Sequence, residues 1–179
     1  MSEKPEAFED VEARARKSRG TSADAIYAMV LREFQSIGTR GGVIADVGCG
    51  AGLFEPVAKR HFDRYLGVDA VRYETYPAGA DFRACNLDRE PIPLETGSMD
   101  VVAAIETIEH LENPRAFVRE LVRICKSGGW IAVTTPNQVS LLSKLTLVTK
   151  NCFRSPSILF VAISKCIIPF TCSPLLANV

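Results

Sequence analysis

Several functions are made improbable by what this sequence has little of. Its six cysteines, at positions 49, 85, 125, 152, 166 and 172, include no C-x-x-C pair. Without that spacing there is neither a zinc knuckle nor a thioredoxin-type redox pair. Histidine occurs only at 61 and 110, and neither stands at metal-ligand spacing from a cysteine, so no metal is expected. Charge of one sign is not in excess: 21 Lys and Arg face 21 Asp and Glu. No overall field therefore draws in nucleic acid or an anionic membrane, and partners must be sought in local sites. Residues 1–19 are polar and charged and lack the apolar segment of a secretory signal. A reducing cytosol is the expected compartment, with free thiols behaving as small apolar groups.

What is present centres on residues 41–54. Val43-Ile44-Ala45-Asp46-Val47 is a short run of strand formers, glycines follow at 48, 50 and 52, and apolar residues recur at helical spacing at Leu53, Val57 and Ala58. A strand, a tight turn and a helix are predicted. Glycines in such a turn permit positive φ and close approach of backbone to a ligand, while the first N–H groups of the next helix are unpaired donors. A ligand carrying a carboxylate or phosphate suits that turn. The spacing is not the Gly-x-Gly-x-x-Gly of dinucleotide binders, which disfavours an NAD-binding oxidoreductase. With Asp46 two residues before the first glycine, the stretch resembles motif I of the class I S-adenosylmethionine-dependent methyltransferases. That resemblance implies that Asp46, Gly48, Cys49, Gly50 and Gly52 lie against the methionine part and ribose of the cofactor. A purely structural turn is the competing reading.

The rest of the chain is consistent with one domain over residues 21–150, preceded by a loose polar lead-in at 1–20 and followed by an atypical hydrophobic tail at 151–179. Thr21 or Ser22 is placed to cap a helix whose apolar positions Ile26, Met29, Val30, Leu31 and Phe34 recur at helical spacing up to Gly38. In related methyltransferases a helix here often covers the site, which makes Arg19 and Tyr27 candidate contacts; a plain covering helix is the alternative.

Tyr65-Leu66-Gly67-Val68-Asp69-Ala70 is a second strand ending in an acid, about 20 residues past the glycines, the offset at which α/β nucleotide sites place a carboxylate on ribose. An ionised carboxylate bridges a vicinal diol, so Asp69 is the candidate ribose ligand, with Ala70 beside it. A third strand, Asp81 to Cys85, precedes Asn86 and Leu87. The resemblance implies that these two meet adenine, with Asp88 taking the role if the register slips by two.

Val101-Val102-Ala103-Ala104-Ile105 is the unbroken apolar run of a strand covered on both faces. Ligands of doubly wound sheets sit past the carboxyl ends of strands, so Ile105, Glu106 and Thr107 are expected at the cofactor. Glu106-Thr107-Ile108-Glu109-His110 resembles the E-x-x-E-H segment of the branch that includes the ubiquinone- and menaquinone-biosynthesis methyltransferases. Glu106 and His110 are the catalytic candidates; loop-bonding roles for Glu109 and His110 compete.

Asn113-Pro114 opens a helix with Phe117, Val118, Leu121, Val122 and Cys125 on one face. Lys126 to Gly129 are placed to close it, and Trp130 to Asn137 is a fifth strand. Gln138 to Lys150 has the spacing of one more amphipathic helix. From Asn151 onward no acid appears, and only Arg154 and Lys165 carry charge. The tail has three readings: a shifted-frame end, a native segment covering the fifth strand, or a membrane anchor.

These features imply an α/β fold, a doubly wound Rossmann-like parallel sheet in the order 3-2-1-4-5 with helices on both faces, lacking the sixth and seventh strands of the full family fold. The implied activity is methyl transfer from S-adenosylmethionine to an acceptor, expected to be a small molecule. A catalytically silent cofactor-binding module acting through a partner is the alternative.

Overall fold

The computed structural model describes residues 20–136 and 159–165. Arg19, the helix expected over 138–150 and the cysteines at 152, 166 and 172 lie outside them. Five parallel strands, β1 (Val43–Val47), β2 (Arg64–Asp69), β3 (Asp81–Ala84), β4 (Met99–Ile105) and β5 (Cys125–Pro136), form one sheet with β6 (Leu159–Lys165) in the order β3-β2-β1-β4-β5-β6. The expected 3-2-1-4-5 order is present.

The sheet does not end at five strands, which corrects the expectation that a sixth strand is lacking. β6 runs antiparallel to β5, pairing Trp130 with Lys165 through to Pro136 with Leu159. An open fifth strand would expose unpaired N–H and C=O groups. Of the readings open for this segment, pairing supports the one in which it covers that edge, as a strand.

Alternation along the strands divides the core into two layers. Ile44, Val101, Ala103 and Ile105 face one side with Val30, Phe34, Phe54 and Phe62. Val47, Leu66, Val68, Val102 and Ala104 face the other with Phe117, Leu121 and Ile124. Side chains one residue apart point to opposite faces, so one set of strands holds α1 (Asp24–Ser36) on one side and α3 (Pro114–Ile124) on the other. Cys49, Cys85 and Cys125 are buried, as expected of cysteines acting as small apolar groups.

Helix boundaries show where periodicity misled. Neither Thr21 nor Ser22 caps α1: the N-cap is Ala23, without a side-chain bond, while the Ser22 amide donates to the Tyr27 hydroxyl at 3.1 Å. The helix after the glycines, α2, is a single turn, Glu55–Ala58, and Leu53 lies outside it, 40% exposed. On α3, Phe117, Leu121 and Ile124 are buried, but Val118 and Val122 are exposed. Asn113 caps α3 as expected, its Oδ1 accepting from the Ala116 amide at 3.0 Å. Lys126 does not close that helix; it pairs with Asp100 at 2.6 Å, and β5 begins at once at Cys125.

Candidate cofactor site

The strand order reverses between β1 and β4, so the connections leaving their carboxyl ends part and open a crevice. A cavity of about 590 Å³ lies there, within the roughly 300–1,000 Å³ of small-molecule sites. Of the residues singled out in the sequence, Asp46, Gly48, Cys49, Gly50, Asp69, Ala70, Asn86, Leu87, Ile105, Glu106 and His110 line it, and so does Tyr27. Gly52 does not line it. It takes a φ of +76°, and a Cβ there would press on Tyr76 and Pro77; its part is to let the loop pack on residues 76–77.

The glycine loop is held by its own backbone. The Gly48 and Cys49 amides both donate to the Val68 carbonyl, at 2.7 and 3.2 Å, tying the loop to the end of β2. The Gly50 amide donates to Asp69 Oδ2 at 2.8 Å, and the Val71 amide to Oδ1 at 3.3 Å. Asp69 thus pins the loop and also borders the cavity. Burial pushes its carboxyl above the usual range, and the amides of Gly50, Val71 and Ala70 oppose that push.

Asp46 is 2% exposed. Its Oδ2 accepts from the Tyr65 hydroxyl at 2.6 Å, while its Oδ1 is buried without a partner. Burial is the main reason its carboxyl is pushed up to about 7; Tyr65 opposes and the charge of Asp69 adds. In the unfolded chain it titrates near the ordinary aspartate value of 3.8. The folded protein thus holds a proton that the unfolded chain releases between pH 4 and 7, and stability present below pH 4 is lost as pH rises to 7. About three pKa units correspond to on the order of 4 kcal/mol. Thermal unfolding is expected to show a melting temperature that falls from pH 5 to pH 8, with a clearly shallower fall in Asp46→Asn. An identical fall in the variant would assign the pH dependence to other groups.

Past β3, where adenine is expected, the Asn86 side chain is buried, and its Oδ1 accepts from the Asp88 amide at 3.2 Å. Asp88 also borders the cavity, with its Oδ1 accepting from the Glu112 amide at 2.7 Å. At the end of β4, Glu106 takes a φ of +49°, the only described non-glycine residue in the left-handed region. That conformation costs on the order of 1–2 kcal/mol. The Glu106 amide bonds to the buried Thr134, to its Oγ1 at 2.9 Å and its carbonyl at 3.2 Å, which holds the turn. Glu109 is half-buried with a shielded, unpartnered Oε2, and burial raises its carboxyl. His110 is exposed and also lines the cavity.

Two contributors, Gly20 and Tyr73, went unseen in the sequence, and a third, expected at the cofactor, has a packing role that its place after β4 did not reveal. Gly20 crosses the glycine loop, its carbonyl accepting from the Ala51 amide at 2.8 Å. A Cβ on Gly20 would lie 2.8 Å from Gly50 Cα and also meet the Tyr73 ring. Tyr73 is a second cavity-lining residue not foreseen. The third is Thr107, whose buried hydroxyl donates to the Val47 or Ile105 carbonyl, at 3.2 or 3.1 Å. It fills the space in which a side chain at position 48 would stand.

The residues present fit a sulfonium nucleoside. A glycine loop that no Cβ could share, a carboxylate at the end of β2, and a buried carboxyl oxygen lacking a donor converge on one cavity.

The comparisons with known proteins agree. Residues 45–133 match the family described as a methyltransferase domain. The chain is 32% identical over 108 residues to a ubiquinone biosynthesis O-methyltransferase of Albidiferax ferrireducens, covering 55% of this chain and 42% of that protein. It is 33% identical over 114 residues to the protein of the same description from Maricaulis maris, covering 59% and 44%. The chain thus spans less than half the length of these two curated relatives. A solved structure of Haemonchus contortus phosphoethanolamine N-methyltransferase 2 in complex with S-adenosyl-L-methionine superposes with a TM-score of 0.53 at 19% identity, over 73% of this chain and 33% of that one. At that identity it speaks for the fold alone. By motif, family match and fold, the chain belongs to the S-adenosylmethionine-dependent methyltransferases.

Proposed function

We propose that this chain binds S-adenosylmethionine in the cavity between β1 and β4 and transfers its methyl group to a small-molecule acceptor, in the cytoplasm and without a nucleic-acid partner. The observation that carries this reading is the convergence of Asp46, the glycine loop and Asp69 on one cavity at the reversal of strand order. When bound, S-adenosylmethionine supplies a methyl group already activated by a positive sulfur, so the protein's work is to position the reactants and exclude water.

Each residue has a part in that work. Gly48, Cys49 and Gly50 present backbone without bulk, leaving room for the methionine part and ribose. Asp46 Oδ1 is an acceptor for the cofactor's ammonium group, a buried oxygen otherwise lacking a donor. Asp69, beside Ala70, takes the ribose hydroxyls with the lone pairs that its two oxygens keep beyond the Gly50 and Val71 amides. Asn86 and Leu87 bound the adenine side, where the Asn86 oxygen keeps one lone pair beyond its bond to Asp88. Ile105 is the apolar wall, and Glu106 with His110 borders the space left for the acceptor. Tyr27 and the Gly20 crossing cover the loop from the side of α1.

The test is transfer of isotopically labelled methyl from S-adenosylmethionine to small molecules of a cytosolic extract, with separate counting of protein and nucleic acid. Label in the small-molecule fraction supports the reading. Cofactor binding without transfer to any fraction would leave a silent module, and label confined to protein or nucleic acid would replace the acceptor class.

A further inference from the structure

Past the cofactor residues, the described lining of the cavity contains Asp88, Glu106, Glu109 and His110, and no lysine or arginine. Counting Asp46 and Asp69, five carboxyl groups border one cavity. They are not neutralised by neighbours: the four described ion pairs, Lys59–Glu55, Arg64–Asp81, Arg123–Glu120 and Lys126–Asp100, involve none of them. Two of these carboxyl groups also have a shielded oxygen with no hydrogen-bond donor, Asp46 Oδ1 and Glu109 Oε2, and Asp46 is 98% buried by its 2% exposure. Glu106 is aimed by a left-handed backbone that Thr134 holds, a conformation retained at a cost.

An anion entering the part of this space that the cofactor leaves free meets the carboxyl groups of Asp88, Glu106 and Glu109 in a partly desolvated setting, and among the described lining residues no lysine or arginine pairs with it. A group that donates hydrogen bonds finds in Glu109 Oε2 a shielded acceptor whose bond is otherwise unmade. Building on the methyl-transfer reading above, we infer that the acceptor presents an amine or hydroxyl to Glu106 and Glu109 and carries no phosphate or carboxylate beside it. This narrows the acceptor to neutral or cationic molecules.

Matched fragments test it. Benzylamine, benzyl alcohol and phenyl phosphate are titrated into the full chain saturated with S-adenosylhomocysteine, and binding is followed by ligand-observed NMR at constant ionic strength. Benzylamine is expected to bind at least about tenfold more tightly than phenyl phosphate, the alcohol falling between them. That ratio is expected to shrink at least about threefold in Glu109→Gln and in Glu106→Gln, each of which removes charge while keeping size and hydrogen-bonding capacity. Equal or tighter binding of phenyl phosphate, a ratio unchanged in both variants, or no binding of any fragment to the loaded chain overturns the inference and leaves the methyl-transfer reading standing. A folded chain that takes up no S-adenosylhomocysteine overturns both.

Discussion

Gly50→Val is expected to abolish measurable binding of S-adenosylmethionine, a loss of at least about 100-fold, or roughly 3 kcal/mol. Two effects act together. Gly50 has a φ of +51°, a region that β-branched residues scarcely enter. A Cβ there would also overlap the backbone of Gly20, from its Cα to its carbonyl oxygen. Because that neighbour is main chain, relief requires shifting either the Gly20 crossing or the loop. A shifted loop loses the Gly50 to Asp69 bond and reshapes the cavity wall. In the sequence, close approach of backbone to a ligand is the reason for glycine in this turn; the structure adds that a side chain at position 50 would first displace the chain segment at Gly20 packed over the loop. Gly79→Ala is the control. Gly79 has a φ of +80° with nothing within 4 Å of the added carbon, so it carries the backbone strain, about 1–2 kcal/mol, without altering the site. Calorimetric titration should show binding kept in Gly79→Ala and absent in Gly50→Val, with circular dichroism verifying that both fold. Near-normal affinity in Gly50→Val would remove the loop from the site.

Asp69→Ala should weaken binding by about 1.5–3 kcal/mol, the scale of hydrogen bonds to a charged acceptor, or roughly 10- to 150-fold. The carboxylate has two duties, since it accepts from the Gly50 and Val71 amides while bordering the cavity. Asp69→Asn separates them. An asparagine oxygen still accepts from the Gly50 amide, yet it has neither the charge nor the second acceptor that grips a pair of ribose hydroxyls. If ribose contact dominates, the asparagine variant binds nearly as weakly as the alanine one. If pinning the loop dominates, asparagine restores most of the affinity. Wild-type affinity in Asp69→Ala would take the residue out of the site.

Features readable in the sequence were those in which a residue type answers to a local rule. The β1 loop, the acid at the end of β2 and the apolar run of β4 obey spacing that strand and turn geometry impose, and each stands where it was expected. Asn113 followed by Pro114 marked the start of α3 for the same reason. Contacts between distant segments were not readable. Gly20 lies 30 positions before Gly50 in an otherwise polar stretch, and one glycine there carries no sign of the backbone it will touch. Thr107 was expected near the cofactor for its place after β4, but its wedge against Gly48 depends on strand adjacency. Helical spacing misplaced Leu53, because α2 is one turn long and the apolar positions had no further turns in which to repeat. The run from Leu159 to Ile163 is apolar at every position, a pattern that does not tell a strand from a buried helix; its pairing with β5 decides it.

Direct titration of S-adenosylhomocysteine and S-adenosylmethionine into the purified full chain, by calorimetry at neutral pH, bears most immediately on the central claim. One site per chain with micromolar affinity, weakened in Asp69→Ala, is the expected outcome. A well-folded chain that releases no heat with either compound at millimolar concentration would contradict it.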